Sequence, residues 1–597
     1  MPVRTFSLLI LAALLAAGCS LSQNKVRQVD AKVSANRETG LTCFPRELDR
    51  CAEASPLLEL GKTDTIAGQH HLTLIEFGED ALVLRIHMIR AAQRYIELQN
   101  FILRGDETGL LVLHELLDAA RRGVKVRLLL DQMFSFSDAQ YLVRLAMEHS
   151  NLEIRFYNPS FHKAKMAKHD WVSGIACCFR RVNQRMHNKL LVVDDIVGVI
   201  GGRNIADRYF DYDTSYDFKD RDVAVYGATA RSMRESFDWF WEAPFTVPVQ
   251  HLRDVAAEIL KNGYERSEPF QPAPRLLPML QKVTDRGYLS SVFVEPAFKV
   301  DRLQYFSDLP RKHTVPDEPV FQPVTRQLYD LILSAQHSVI IQSPYLVLSR
   351  RARKVFRQLR NKNPDIELVF STNSLASTDA DTVYANTHRH KKRYVEDLGF
   401  LMYELKPFPL DAPAFFPRWP ELLREKRQGI ESKAIVSGDN SLMPMPAPRV
   451  GLHSKSLVVD GKVAMIGSHN FDPRSEGFNT ENGLIVWDES FAETLQQLIL
   501  KDIEPGNSWV VAMKPDKEQA KTALAPVPKT IPEFKPWSYS STSVYELAEG
   551  KEPVPPGSPD FYRNYYAVGS FPEVVRTRRQ VTVVFLSSFF FFLEPIL

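Results

Sequence analysis

The 597-residue chain has little surplus charge of either sign: 74 Lys and Arg stand against 72 Asp and Glu, a net of +2. A protein that grips an extended polyanion carries a basic excess, so bulk charge gives no case for a nucleic acid partner. Cysteine is scarce, five residues in all, and no metal-site spacing occurs among them. Cys43 and Cys51 are near enough in sequence to close one small disulfide loop, whereas Cys177 and Cys178 are neighbours, an arrangement that rarely bonds. Long hydrophobic runs are missing as well. The apolar stretches at the two ends of the chain fall short of the roughly 20 residues that cross a bilayer, so no conventional transmembrane helix is expected.

The length exceeds what a single core supports, since domains hold roughly 100 to 200 residues, and three or four folding units are expected. Residues 20–70 are polar with few periodic apolar positions, the composition of a tether. From near Leu72 the pattern alternates. "ALVLRIHMIRAAQ" has helical apolar spacing and "YIELQNFIL" reads as a strand. "GLLVLHELLDAARRG" is helical with a glycine stop, and "VKVRLLLD" is a buried strand. Strands separated by helices imply an α/β layered architecture. The order then recurs from residue 328, with "SAQHSVIIQ" opposite "AAQRYIELQ". Two lobes, 71–305 and 306–505, are expected, followed by a proline-rich extension at 506–597 with an apolar end that wraps the body or hangs loose.

The repeat is closest where "MHNKLLVVDDIVGVIGGRN" (186–204) meets "LHSKSLVVDGKVAMIGSHN" (452–470). His187, Lys189, Asp194, Asn204 and Arg208 fall on His453, Lys455, Asp460, Asn470 and Arg474, each displaced by 266 residues. Residues two apart on a strand share a face, so each His is expected beside its Lys. A buried lysine on an apolar strand costs on the order of several kcal/mol unless an anion meets it, and a bound phosphate supplies one. Two lobes packed about a pseudo-twofold axis would bring both pairs into one pocket. One imidazole then attacks phosphorus to form a phosphohistidine while the other protonates the leaving oxygen and later deprotonates an incoming hydroxyl. Lysines and asparagines stabilise the equatorial oxygens, a task that otherwise often falls to a metal.

Two HxKxxxxD motifs, with "GGRN" and "GSHN" beyond them, resemble the signature of the phospholipase D superfamily, over roughly residues 70–505. "RMHNKLLVVDD", "GGRNIADRYFDYD" and "TNSLASTDADTVYA" look most like the bacterial cardiolipin synthase C group, which joins phospholipid head groups without a metal ion. The resemblance implies an α/β fold of two tandem α/β/α sandwich lobes with the active site at their interface. It places the nucleophile at His187 and the general acid and base at His453, with the roles open to exchange, and calls for no cofactor. Lys189, Lys455, Asn204, Asn470 and Ser468 match phosphate-binding positions. Glu481 matches the carboxylate that holds an imidazole in its tautomer, and Asp222 is the expected first-lobe counterpart, with Asp220 as the alternative. Asp194 and Asp460 complete the two motifs and are read as accepting backbone N–H bonds at a strand end rather than touching substrate. Gly202 stands where the second lobe has Ser468, so one hydroxyl near the phosphate is missing.

The start, "MPVRTFSLLILAALLAAGCS", resembles a bacterial lipoprotein signal whose cleavage leaves Cys19 as an acylated terminus, with simple secretion as the alternative. Ser20 after that cysteine favours the outer membrane, on the periplasmic side of the cell envelope. Phospholipid substrates follow from the resemblance, phosphatidylglycerol first and phosphatidylethanolamine after it, at a membrane surface. Transfer to a lipid hydroxyl is the leading reaction. Hydrolysis to phosphatidic acid, a nuclease, and an idle lipid-binding protein are the alternatives. "FHKAKMAKHDWVSGIACCFRRVNQR" flanks an apolar stretch with basic residues and reads either as a contact for anionic lipid or as a solvated loop over a small core helix. Tyr209, Phe210 and Tyr212 are candidates for an acyl or glycerol pocket or for core. His87, His388 and His390 have no second copy and are read as ordinary surface or core residues.

Overall fold

The computed structural model describes residues 20–43, 51–63, 69–133, 135–261, 270–314, 323–437, 447–525 and 541–573. Cys19 and the apolar carboxyl end lie outside them.

Two mixed sheets, of nine and ten strands, form the two lobes and share one strand order. In the first, Tyr95–Asn100, Lys125–Asp131 and Leu152–Tyr157 run parallel, and Leu190–Val193, Val197–Gly201 and Asp222–Tyr226 continue antiparallel. In the second, Ser338–Gln342, Glu367–Asn373 and Leu401–Leu405 are parallel, followed by Ser456–Val459, Val463–Gly467 and Asn482–Trp487. Parallel strands covered on both faces must be apolar on both. Leu128 and Leu130 accordingly join the core under the outer helices of the first lobe, while Leu129 joins a central core. The helix Glu107–Arg122 shows how the connections are fixed: Asp106 caps its first turn by accepting from the Gly109 N–H, and Gly123 ends it at φ 112°. The central core is shared. It joins Val192, Ile200 and Phe237 of the first lobe to Val458, Ile466 and Leu495 of the second.

Two short parallel ribbons cross between the lobes. Strand β1 (Arg185–Met186) of the first lobe pairs with β4 (Asn479–Thr480) of the second. Strand β2 (Tyr216–Lys219) of the first pairs with β3 (Arg449–Leu452) of the second. The sequence expectation of a His and Lys on one uninterrupted strand is corrected here: residues 187–189 are a junction between ribbon and sheet. The backbone changes partners there, because the His187 N–H donates to the Thr480 carbonyl of the other lobe whereas Leu190 is paired within its own sheet.

The described parts of the expected tether are folded. Helices Gln23–Asn36 and Pro56–Thr63 bury Val29, Val33, Leu57 and Leu58 in the first lobe's core. At the other end, Ser508–Met513, Thr542–Leu547 and Tyr565–Gly569 add three strands to the edge of the second sheet, so this part of the extension neither wraps nor hangs. Cys43 and Cys51 are bonded. Cys177 and Cys178 are bonded too, against expectation, on helix α1 (Lys168–Asn183), where Cys178 leaves the helical region at φ −144°, ψ 32°.

Candidate active site

Each ribbon delivers a histidine from one lobe and a carboxylate from the other. His187 follows β1 and Glu481 follows β4, and His187 Nδ1 lies 2.8 Å from Glu481 Oε2. His453 follows β3 and Asp220 follows β2, and His453 Nδ1 lies 2.6 Å from Asp220 Oδ2. A carboxylate only accepts, so both Nδ1 atoms carry the proton and both Nε2 atoms are left with a lone pair. Lys455 Nζ also lies 2.8 Å from His453 Nδ1. With that nitrogen committed to Asp220, the ammonium donates instead to the His453 carbonyl, its other close partner.

The expected orienter Asp222 is therefore corrected to Asp220. Asp222 pairs instead with Arg85 at 2.8 Å and Arg203 at 3.5 Å, all three buried. Glycine explains the approach of Asp220: a Cβ on Gly202 would meet Asp220 Oδ1 at 2.2 Å. The same place in the second lobe holds Ser468, whose Oγ donates to Glu481 Oε2 at 2.5 Å and accepts from the Asn482 N–H at 3.0 Å. Ser468 thus braces the orienting carboxylate, a role for its hydroxyl that differs from the phosphate contact expected of it. Despite the departure noted at Gly202 and Ser468, each half has an oriented histidine: a serine supports the glutamate, and a glycine admits the shorter aspartate.

Lys189 and Lys455 are buried. Burial, with the other lysine as the next cause, lowers the Lys189 ammonium to about 7; burial lowers Lys455 to about 8, opposed chiefly by Asp220. Burial and then its own lysine push each histidine well below its ordinary value, and each feels the charge of both lysines. The charge of an arriving phosphodiester would oppose the part of these shifts that comes from the neighbouring lysines. The Asn470 amide oxygen is buried without a hydrogen-bond partner among the described residues, so no bond to that atom fixes the amide, which can turn to present its NH2 as a donor to a phosphate oxygen. Asn204 is tied more tightly, its Oδ1 accepting from the Ile102 N–H at 3.2 Å.

Asp194 and Asp460 sit at the far ends of their strands. Asp194 accepts from the N–H groups of Gln93, Arg94 and Tyr95 at 2.8–2.9 Å, and Asp460 from Gln336, His337 and Ser338 at 2.7–3.2 Å. Both pin a helix-to-strand turn and neither reaches the pocket. Of the aromatic candidates, Tyr209 packs edge-on against His453 at 5.0 Å, while Phe210 and Tyr212 are core. His87 is core as well, held by the Val283 carbonyl and Ser55.

Three residues escaped the sequence reading. Phe101 meets His187 edge-on at 4.9 Å. Asp308 accepts from the Glu481 N–H at 3.0 Å and is held by Lys312 at 2.8 Å, a fully buried pair. Asp308 and Lys312 precede the second sheet's repeat and have no copy in the first lobe, so periodicity gave no signal; Phe101 lies just past the repeated "YIELQ" and aligns with Pro344. Among the described residues no cluster of three or more His, Cys, Asp or Glu side chains is arranged to hold a metal.

The family described as "Cardiolipin synthase, PLD-like domain" matches over residues 85–241 and 328–503, one match per lobe. Cardiolipin synthase C of Escherichia coli K12 is 29% identical over 444 residues, 73% of this chain and 85% of that one. An uncharacterized Helicobacter pylori J99 protein is 32% identical over 441 residues, 73% of this chain and 79% of its own. A solved phosphatidylserine synthase of Haemophilus influenzae Rd KW20 superposes with a TM-score of 0.47 at 14% identity, covering 76% of this chain and 92% of that one. With both lobes matched and both histidine–lysine pairs assembled between them, the chain belongs to the phospholipase D superfamily, in its cardiolipin synthase, PLD-like domain family.

Proposed function

We propose that the protein is a phosphatidyltransferase of cardiolipin synthase type, forming cardiolipin from two molecules of phosphatidylglycerol through a phosphohistidine and without a metal. The reading is carried by the reciprocal pairs His187–Glu481 and His453–Asp220, which leave two Nε2 atoms free in a pocket lined by two buried lysines. His187 Nε2 attacks phosphorus, the bond to the glycerol head group breaks, and His453, charged once the phosphate anion is bound, gives its Nε2 proton to the departing alkoxide. A hydroxyl of the second phosphatidylglycerol then loses its proton to His453 and attacks phosphorus. The phosphorus–nitrogen bond breaks, so glycerol and cardiolipin are the products. Lys189, Lys455 and Asn470 hold the equatorial oxygens as charge builds on them. The setting in this reading is the periplasmic face of an envelope membrane, the outer one first, with acylated Cys19 as the anchor.

Labelled phosphatidylglycerol, alone and with phosphatidylethanolamine, tests the reaction. Cardiolipin is the expected product, and phosphatidic acid alone would make the enzyme a hydrolase. His187→Ala or His453→Ala with undiminished product would end the phosphohistidine scheme, and strong inhibition by EDTA would end the metal-free one. Palmitate labelling that persisted in Cys19→Ala would remove the anchor.

A further inference from the structure

Helix α1 exposes apolar residues to solvent near its start. Trp171 is 39% and Val172 70% exposed, and Ala176 is exposed one turn beyond Val172. Exposed cations flank this apolar step along the chain: Lys165 and Lys168 before it, Arg180 and Arg181 after it. Among the described residues none of the four forms an ion pair, and the Asp254 carboxylate near Lys165 is taken up by the backbone N–H groups of Ala164 and Lys165 at 2.8–3.0 Å. Asp170 is the one acidic residue between 161 and 185; it is buried and holds Lys163 at 2.8 Å.

The helix also leads into the site. Its last residue, Asn183, accepts from Arg474 through its carbonyl at 3.2 Å, and His187 follows four residues later through β1. Its approach is tied down at the same place, because the Gln132 amide donates to the Lys163 carbonyl at 2.6 Å. Gln132 directly follows Asp131, whose carboxylate accepts from the Met186 N–H at 3.0 Å. The helix, the end of a central strand and the residue before His187 therefore form one rim.

We infer that α1 is the surface on which the enzyme docks to an anionic lipid leaflet, with Trp171 and Val172 entering the acyl boundary and Lys165, Lys168, Arg180 and Arg181 at the head-group phosphates. Charge complementarity selects this occupant: a small apolar step flanked by exposed cations that form no ion pair among the described residues is the pattern of a helix lying in a membrane interface. The inference rests on the phosphatidyltransferase reading for the direction it gives the site, since docking by this rim turns the His187 side of the pocket toward the lipid. It does not rest on the anchor at Cys19, which holds the chain near a membrane without orienting it.

The test is hydrogen–deuterium exchange of the full-length protein, free, on phosphatidylcholine vesicles, and on vesicles of one part phosphatidylglycerol to three of phosphatidylcholine. Amides of 168–183 are expected to slow on the anionic vesicles alone, and Lys168→Ala with Arg180→Ala to weaken that protection by about fivefold for each cation removed. Trp171→Ser with Val172→Ser, its melting temperature compared with the parent's, should lower turnover on vesicles at least tenfold. The same variant should stay within twofold of the parent on phosphatidylglycerol dispersed in detergent micelles. Exchange that is unchanged on anionic vesicles, or slowed equally on neutral ones, overturns the inference even where cardiolipin is made. Protection on anionic vesicles without any turnover upholds the docking surface and removes the proposed reaction.

Discussion

Replacing Asp220 by Asn decides whether the imidazole of His453 is held as described. Asp220 Oδ1 accepts from the Arg221 N–H at 2.8 Å, and Oδ2 accepts from His453 Nδ1 at 2.6 Å. Asparagine has one acceptor. Kept on Arg221, it turns its NH2 toward His453 Nδ1, where two donors would face each other, and the imidazole is driven to the tautomer with its proton on Nε2. That tautomer cannot accept a proton from an incoming hydroxyl. Losing a hydrogen bond to a charged group costs about 1.5–3 kcal/mol, which at 1.36 kcal/mol per decade is roughly one to two decades in rate. Loss of the base function sets the ceiling at about 10⁴. Asp220→Asn is therefore expected to lower kcat for cardiolipin formation about a hundredfold, with the melting temperature nearly unchanged. Asp222→Asn should do the reverse: it leaves buried Arg85 and Arg203 without their shared carboxylate, a loss of about 3–5 kcal/mol in stability. Activity within threefold of the parent in Asp220→Asn, or an Asp222→Asn that melts normally yet loses a hundredfold in rate, would refute the assignment.

Other consequences can be measured alongside. Ser468→Ala should lower kcat about tenfold with KM unchanged, because the serine steadies Glu481; a rise in KM alone would return it to the phosphate. Gly202→Ala brings a Cβ against Asp220 and should lower both rate and melting temperature, whereas a silent substitution would mean that Asp220 has room to move. With the Lys189 and Lys455 ammonium groups lowered to about 7 and 8 by burial, their charge is present below that range and lost above it. kcat/KM should accordingly fall as pH rises through 7–8, with the kcat profile displaced to higher pH because the bound phosphate favours the charged lysines. A kcat/KM that rises through this window would be inconsistent with cationic lysines binding the substrate.

What could be read from the sequence was whatever the duplication wrote twice. His187 and Lys189 stand out only because His453 and Lys455 repeat them at the same offset, and the two sheets follow from strand patterns that repeat likewise. The orienting carboxylates were harder, because Asp220 and Glu481 differ in length and in distance from their motifs; the choice over Asp222 rests on the space at Gly202, which only packing reveals. Pairing of each histidine with the carboxylate of the opposite lobe has no signature along the chain, since ribbons of two to four residues carry too little periodicity to announce a partner. The amino-terminal helices were missed for a related reason. Their buried faces amount to Val29, Val33, Leu57 and Leu58 among polar residues, and composition outweighs so few contacts.

The crossed ribbons bear on when the enzyme acquires its reactivity. A first lobe that has folded alone carries His187 with no carboxylate to fix its proton, and the second lobe alone is equally disarmed at His453. The site is thus complete only when both ribbons have formed, and neither half assembles it alone. The duplication keeps two obligate halves at a fixed ratio of one to one, and a lesion in either half disables the histidine of the other.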